Sequence, residues 1–137
     1  MALIKCTHCG NDKRTYGTSA NLFCSRQCAN DFQYEQRVAE WKLSGESTRI
    51  SGTPGWLRRY FFEKQNGKCA GCLNDTWREQ PITLELEHKD GNSDHNKEEN
   101  LELLCPNCHS QSSTYKAKNK GNGRHYRRQL YKEGKSF

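Results

Sequence analysis

Cys69-Ala70-Gly71-Cys72 and, after 32 intervening residues, Cys105-Pro106-Asn107-Cys108-His109 bracket the stretch that decides the fold. Two C-x2-C pairs at this separation are the arrangement four thiolates need to close tetrahedrally around Zn²⁺. Each pair fits one tight turn, and the chain between them must double back to bring the turns together. Ile82-Thr83-Leu84-Glu85-Leu86-Glu87-His88 alternates with period two, as a half-buried strand does. A polar loop from Lys89 to Glu99 follows, and Asn100-Leu101-Glu102-Leu103-Leu104 reads as the antiparallel partner. Pro106 stands where a first helical position would be, so the spacing predicts a helix carrying Cys108, His109 and Gln111 to about Lys116. Strand, loop, strand and helix, clamped at one end by zinc, form an α+β unit.

Upstream, Cys6-Thr7-His8-Cys9 and Cys24-Ser25-Arg26-Gln27-Cys28 make a second four-thiolate set, C-x2-C and C-x3-C, with His8 a spare donor inside the first knuckle. Phe23-Cys24-Ser25 ahead of a helical segment resembles the knuckle-then-helix half of a treble-clef finger. A helix is expected from about Ser25 to Leu43, with Ala29, Phe32, Gln36, Ala39 and Leu43 at helical spacing and Phe32 and Trp41 as packing residues. Ser44-Gly45-Glu46-Ser47-Thr48 and Ser51-Gly52-Thr53-Pro54-Gly55 break the pattern, placing a linker at 44–53. Thr53 can cap a further helix with Pro54 at its first position, ending near Asn66 at Gly67, with Leu57, Tyr60 and Phe61 as its apolar stripe. Arg58 and Arg59 cannot both point inward, so at least one is a candidate phosphate contact.

Composition supports a small, stapled molecule. The 137 residues are 32% hydrophobic with eight cysteines, and the mean hydropathy is −1.12. So polar a chain builds only modest cores, which metal sites reinforce. The paired C-x2-C spacing favours metal over a secreted disulfide framework. The short apolar start, Met1-Ala2-Leu3-Ile4, meets Lys5 and does not resemble a signal peptide, and no stretch reaches membrane-spanning length. A cytoplasmic chain with reduced thiols is expected. The net charge of +6 is uneven: from Thr114 onward eight basic residues face the single acid Glu133, a local +7, leaving about −1 elsewhere. That asymmetry points to a polyanion, and Lys116, Lys118, Lys120, Arg124, Arg127, Arg128 and Lys132 are its candidate contacts, several on one helical face. Tyr126, Leu130 and Tyr131 are available to pack this segment against the body.

Leu84-Glu85-Leu86-Glu87-His88-Lys89-Asp90-Gly91-Asn92, followed by Asn100-Leu101-Glu102-Leu103-Leu104-Cys105-Pro106-Asn107-Cys108-His109, resembles the His-Asn-His (HNH) endonucleases of the ββα-metal fold, and in particular phage HNH proteins with a four-cysteine zinc site. The resemblance spans about Gly52 to Asn119. It implies that His88 is the general base that activates water, that Asn100 holds the loop and the strand carrying His88, and that His109 ligates a catalytic divalent metal. Glu87 stands where the family places Asp or His as the other ligand, a departure that still offers a hard oxygen. Adjacent strand residues face opposite sides, so Glu87 and His88 share one site only if the strand ends or bulges there. Asp94 and His95 are read as solvent-facing, and His8 and His125 as isolated.

The chemistry suits these residue types. Phosphodiester hydrolysis needs a base of near-neutral pKa and a cation against the charge of the transition state. One carboxylate and one imidazole leave most of a cation's coordination open, which fits Mg²⁺, with Mn²⁺ and other divalent ions also accommodated. The resulting expectation is an N-terminal zinc finger with its helix (1–43), a linker (44–53), an HNH, treble-clef-like nuclease domain with structural zinc (54–119) and a basic DNA-binding tail (120–137). Its expected cofactors are two structural Zn²⁺ and one catalytic divalent ion, and its partner is double-stranded DNA. A homing-type phage role is a family implication, and a restriction-type or packaging-associated phage nuclease is equally allowed by the residues. The alternatives are a non-catalytic double-zinc DNA-binding regulator and a ribonuclease with the same chemistry.

Overall fold

The computed structural model describes residues 2–15, 22–44, 55–93, 95–118 and 124–134. The expected linker beyond Ser44, the Thr53-Pro54 cap, Asp94 and Lys120 lie outside them, as do the side chains of Arg124, His125, Tyr126 and Arg127. The chain divides into two compact units, Met1–Leu43 and Ser44–Phe137. No helix among the described residues is long and apolar enough to cross a membrane.

The first unit opens with an antiparallel hairpin, β1 (Ala2–Lys5) and β2 (Asp12–Thr15), with Lys5 opposite Asp12. Between them the Cys6–Cys9 knuckle closes through Gly10 N–H to the Cys6 carbonyl at 2.9 Å. α1 runs Arg26–Ser44. Ser25 caps it, its hydroxyl accepting the Cys28 N–H at 3.1 Å. Phe32 meets Phe23 with ring centroids 5.3 Å apart, and Trp41 is buried. The rest of the expected stripe is corrected: Gln36, Ala39 and Leu43 are exposed, Leu43 at 89%, while Val38 and Trp41 carry the inward face. Trp41 has by far the largest apolar surface in that half of the helix, and its burial sets the phase.

In the second unit α2 (Gly55–Lys64) buries Leu57 and Phe61. It stops where Asn66 (φ 53°) and Gly67 (φ 70°) turn left-handed, with Gly67 N–H reaching back to the Phe62 carbonyl at 2.9 Å. A Cβ on Gly67 would stand 3.0 Å from the Phe62 ring. A small hairpin, β3 (Thr76–Trp77) and β4 (Gln80–Pro81), then precedes β5 (Glu85–His88), which pairs antiparallel with β6 (Leu101–Leu104). β5 is shorter than the expected strand from Ile82. Its partner ends at Leu104, because the next residue, Cys105, turns its N–H onto Cys69 Sγ at 3.2 Å. Ile82 N–H bonds the Asp75 carbonyl instead.

Gln65 ties α2 to β6. Its amide nitrogen donates to the Leu103 carbonyl (3.0 Å) and its oxygen accepts the Leu103 N–H (2.9 Å), supplying the pairing that a neighbouring strand would give. Leu101, Leu103 and Leu104 are buried, and with Leu57 and Phe61 they supply most of this unit's small core. α3 covers Pro106–Gln111, with Cys105 as its N-cap and Pro106 at its start. It ends at Ser112 rather than near Lys116, because the hydroxyls of Ser112 and Thr114 turn back to a carboxylate on β5. α4 spans Arg124–Lys132.

Candidate functional site

Cysteine sulfurs assemble in two groups, Cys6, Cys9, Cys24, Cys28 and Cys69, Cys72, Cys105, Cys108, each with all its Sγ atoms within 4.8 Å of one another. A tetrahedral zinc with Zn–S bonds of about 2.3 Å puts neighbouring sulfurs about 3.8 Å apart. Cys72 and Cys105 stand at 3.8 Å, and Cys9 and Cys24 at 3.6 Å. Gly71 makes room for this closure, since a Cβ there would lie 3.0 Å from Cys108 Sγ. Burial opposes ionisation of Cys69, but the N–H groups of Cys105, Cys72 and Gly71 outweigh it and bring the thiol down to about 6. The Cys9 N–H does most to bring Cys6 to about 6. Cys108 is pushed up to about 12, first by Cys105 and then by Cys69. Four sulfurs so close cannot all be anionic without a cation among them, and both sets can hold zinc. His8 Nε2 lies 3.1 Å from Glu35 Oε1.

The second cluster fixes α3, and α3 fixes His109. The Cys108 N–H points at Cys105 Sγ and the His109 N–H at the Cys105 carbonyl, so the residue beside the cysteine knuckle turns its ring onto β5. There the imidazole lies between two carboxylates two residues apart on one strand face. Nδ1 is 2.5 Å from Glu85 Oε2 and Nε2 is 2.6 Å from Glu87 Oε2. Tyr115 meets the ring edge-on at 5.1 Å.

Glu87 is only 6% exposed. Its Oε1 accepts hydrogen bonds from Thr114 Oγ1 (2.5 Å) and Ser112 Oγ (3.1 Å), which leaves Oε2 to face His109. A hard carboxylate oxygen and an imidazole nitrogen make a divalent-metal donor pair, and on one octahedral ion such donors stand about 3 Å apart. The observed pair is within a few tenths of an ångström of that separation, so the residues fit such an ion. Glu85, Ser112 and Thr114 were not foreseen as site residues; the alternation that placed Glu87 on one strand face also placed Glu85 there.

His88 is the last residue of β5, paired across the ladder with Leu101. Among the described residues its ring hydrogen bonds to Asn96 Oδ1, at 2.8 Å from Nε2, and not to Glu87 or His109. A neutral ring donating from Nε2 in this contact keeps its lone pair on Nδ1.

Asn100, 5% exposed, braces the loop between the strands. Its amide donates to Asp90 Oδ1 (2.9 Å) and the His95 carbonyl (2.8 Å), its Oδ1 accepts the Asp90 N–H (3.1 Å), and its carbonyl accepts the Lys89 N–H (2.8 Å). Asp90 Oδ2 holds His95 Nδ1 at 2.5 Å, so His95 is part of this brace rather than merely solvent-facing. Partial burial opposes ionisation of Asp90, but the bonds from His95, the Asn92 N–H and Asn100 outweigh it and hold the carboxyl below its usual value.

Of the basic candidates, Arg58 donates to the Leu84 carbonyl (3.3 Å) and Arg59 pairs with Glu63 (2.8 Å), yet both remain exposed. Lys116 lies 4.9 Å from the Tyr115 ring centroid, and Lys118 reaches the Ser110 carbonyl at 3.4 Å. On α4, Arg128 and Lys132 are exposed, Leu130 is half-buried and Tyr131 is 57% exposed.

No family model matches the chain, and no solved structure matches it. Over 54 residues, 39% of this chain, the sequence is 54% identical to the H-N-H endonuclease F-TflIV of Escherichia phage T5. The match covers 24% of that protein, so the chain spans about a quarter of the curated relative's length. Over that segment the chain is similar to a phage HNH endonuclease, a likeness that supports the HNH family for the part it covers.

Proposed function

We propose that the chain is an HNH endonuclease that hydrolyses phosphodiester bonds of double-stranded DNA. The observation that carries this reading is the Glu87 Oε2 and His109 Nε2 pair, 2.6 Å apart, on elements tied to a four-cysteine cluster. Glu87 and His109 would hold one divalent cation, Mg²⁺ or Mn²⁺, which would offset charge on the phosphorus and on the departing 3′ oxygen. His88 takes the proton of the attacking water at Nδ1, while Asn96 keeps the proton on Nε2. Asn100 holds the loop that carries Asn96. Cleavage leaves 5′-phosphate and 3′-hydroxyl ends.

Residues 54–119 are the nuclease domain, 1–43 a zinc module that assists positioning, and 120–137 a basic tail that tracks phosphates. One such site cuts one strand, so a single molecule nicks, and a duplex break takes two molecules or two visits. The biological role is homing-type, within a phage-infected or bacterial cell.

The test is supercoiled plasmid incubated with purified protein and Mg²⁺ or Mn²⁺, with EDTA and with His88→Ala. Nicking that EDTA abolishes and His88→Ala reduces by at least about 100-fold is expected. Undiminished cutting by His88→Ala would refute the base assignment, and DNA binding without cutting under any divalent ion would favour the regulator instead.

A further inference from the structure

We propose that Glu85 is a positioning residue of this site: by accepting the Nδ1–H of His109 it presents the Nε2 lone pair to the divalent cation. The inference rests on the reading that Glu87 and His109 hold that cation.

A neutral imidazole carries one proton on either of two nitrogens, and only the nitrogen without it can ligate a metal. The two tautomers differ little in intrinsic energy, so the partner at one nitrogen decides which is present. At His109 both nitrogens meet a carboxylate, and once a cation takes Nε2 and Glu87 Oε2 as ligands the remaining hydrogen-bond partner is Glu85 Oε2, 2.5 Å from Nδ1. The opposite nitrogen faces Glu87 Oε2 at 2.6 Å, and the ring is steadied edge-on by Tyr115. A carboxylate behind a ligating imidazole fixes its tautomer and orientation and makes the ligand nitrogen more basic.

Local structure explains why Glu85 can do this. It lies two residues before Glu87 on the same strand face, so both carboxylates meet the one helix that crosses that face. Across the ladder its partner is the uncharged Leu104, and Lys116 is a cation within electrostatic reach of it. Its side chain is 43% exposed, against 8% for Glu87. Solvent can therefore reach the outer carboxylate, while the inner one is dehydrated and spends Oε1 on Ser112 and Thr114. The two acids divide the work: the buried one ligates and the outer one orients.

The experiment uses the full chain with both zinc sites filled. Mn²⁺ binding is titrated by electron paramagnetic resonance for the parent, Glu85→Ala, Glu85→Gln and Glu87→Gln, and zinc content checks folding. Glu85→Ala should weaken Mn²⁺ binding by about 10- to 100-fold. Glu85→Gln, whose amide oxygen still accepts from Nδ1–H, should recover most of that loss. In the Mg²⁺-loaded parent, ¹⁵N NMR should show the His109 proton on Nδ1. Parent-like Mn²⁺ binding by Glu85→Ala, alongside loss of binding in Glu87→Gln, would overturn the role of Glu85 alone. Parent-like binding by Glu87→Gln would overturn the metal reading beneath it. Because the NMR measurement needs no variant, a proton found on Nε2 would sink the proposal even if Glu85→Ala failed to fold.

Discussion

Asp90 and Asn100 hydrogen bond to each other twice: the Asp90 N–H donates to Asn100 Oδ1 at 3.1 Å, and the Asn100 amide donates to Asp90 Oδ1 at 2.9 Å. The second donor of the same amide closes on the His95 carbonyl, so one side chain binds both ends of a tight loop. Asn100→Ala strands two or more partners at a buried position and should cost about 1–3 kcal/mol of stability. Asn100→Asp should do worse, setting two carboxylates against each other. Urea unfolding of the zinc-loaded chain measures both, and nicking should fall further than stability explains, because the loop also carries Asn96.

Acid should loosen the same loop through Asp90. Asp90 is held below its ordinary value of 3.8 in the folded chain. Its contribution to stability is therefore complete above that value and is lost as pH falls through the lower folded one. The Asn92 amide, which donates to Asp90 Oδ1 at 2.8 Å, is the reporter. Its NMR shift should titrate below pH 4 in the parent and stay flat in Asp90→Asn.

The reach of the sequence differs between these parts for physical reasons. Tetrahedral thiolate bonding demands short spacings within each pair, so all eight cysteines were readable, as was the stop of α2 at Gly67. Glu85 was not, because an acid on an alternating strand looks like any solvated position until the helix that crosses it is known. Ser112 and Thr114 were read as helix, and only their bonds to Glu87 show why the helix stops short. The β3–β4 hairpin gave no glycine signal: its turn residues, Arg78 and Glu79, take φ of 50° and 65° with full side chains. On α1 the stripe was out of phase because small Ala39 and polar Gln36 were counted where Val38 and Trp41 hold the interior.

Freeing the second oxygen of Glu87 should change which cation the site prefers. Thr114 and Ser112 both occupy Oε1, so Glu87 can offer a metal one oxygen. Mg²⁺ takes carboxylates that way, whereas Ca²⁺ readily takes both oxygens. The double variant Ser112→Ala, Thr114→Val should shift relative affinity toward Ca²⁺ and lose about 3–6 kcal/mol, since two bonds to a charged group are lost at about 1.5–3 kcal/mol each. Competition of Ca²⁺ against Mn²⁺, read by electron paramagnetic resonance, gives the ratio, and an unchanged ratio would count against a one-oxygen ligand.

The two cysteine clusters should be separable. Cys9→Ser should drop zinc content from two ions to one per chain while leaving the His109 signals of the second unit in place, as separate compact units imply. Cys72→Ser should also leave one ion, but with loss of the β5–β6 amide protection and of nicking, because the second cluster fixes α3. Elemental analysis with hydrogen exchange distinguishes them.

Removal of residues beyond Asn119 should weaken DNA binding without touching either zinc. The segment 120–137 holds Lys120, Arg124, Arg127, Arg128, Lys132 and Lys135 against Glu133, so most of the local charge goes with it. Each phosphate contact contributes about −0.9 to the slope of log affinity against log salt on duplex DNA. A tail making three to four such contacts (on the order of half its cations) would flatten that slope by about 3. The truncated and full chains should therefore converge in affinity at high salt and separate at low salt. Parallel salt slopes would show that the tail's cations meet solvent rather than phosphate, and the DNA contacts would then have to come from Arg58, Arg59, Lys116 and Lys118 on the body.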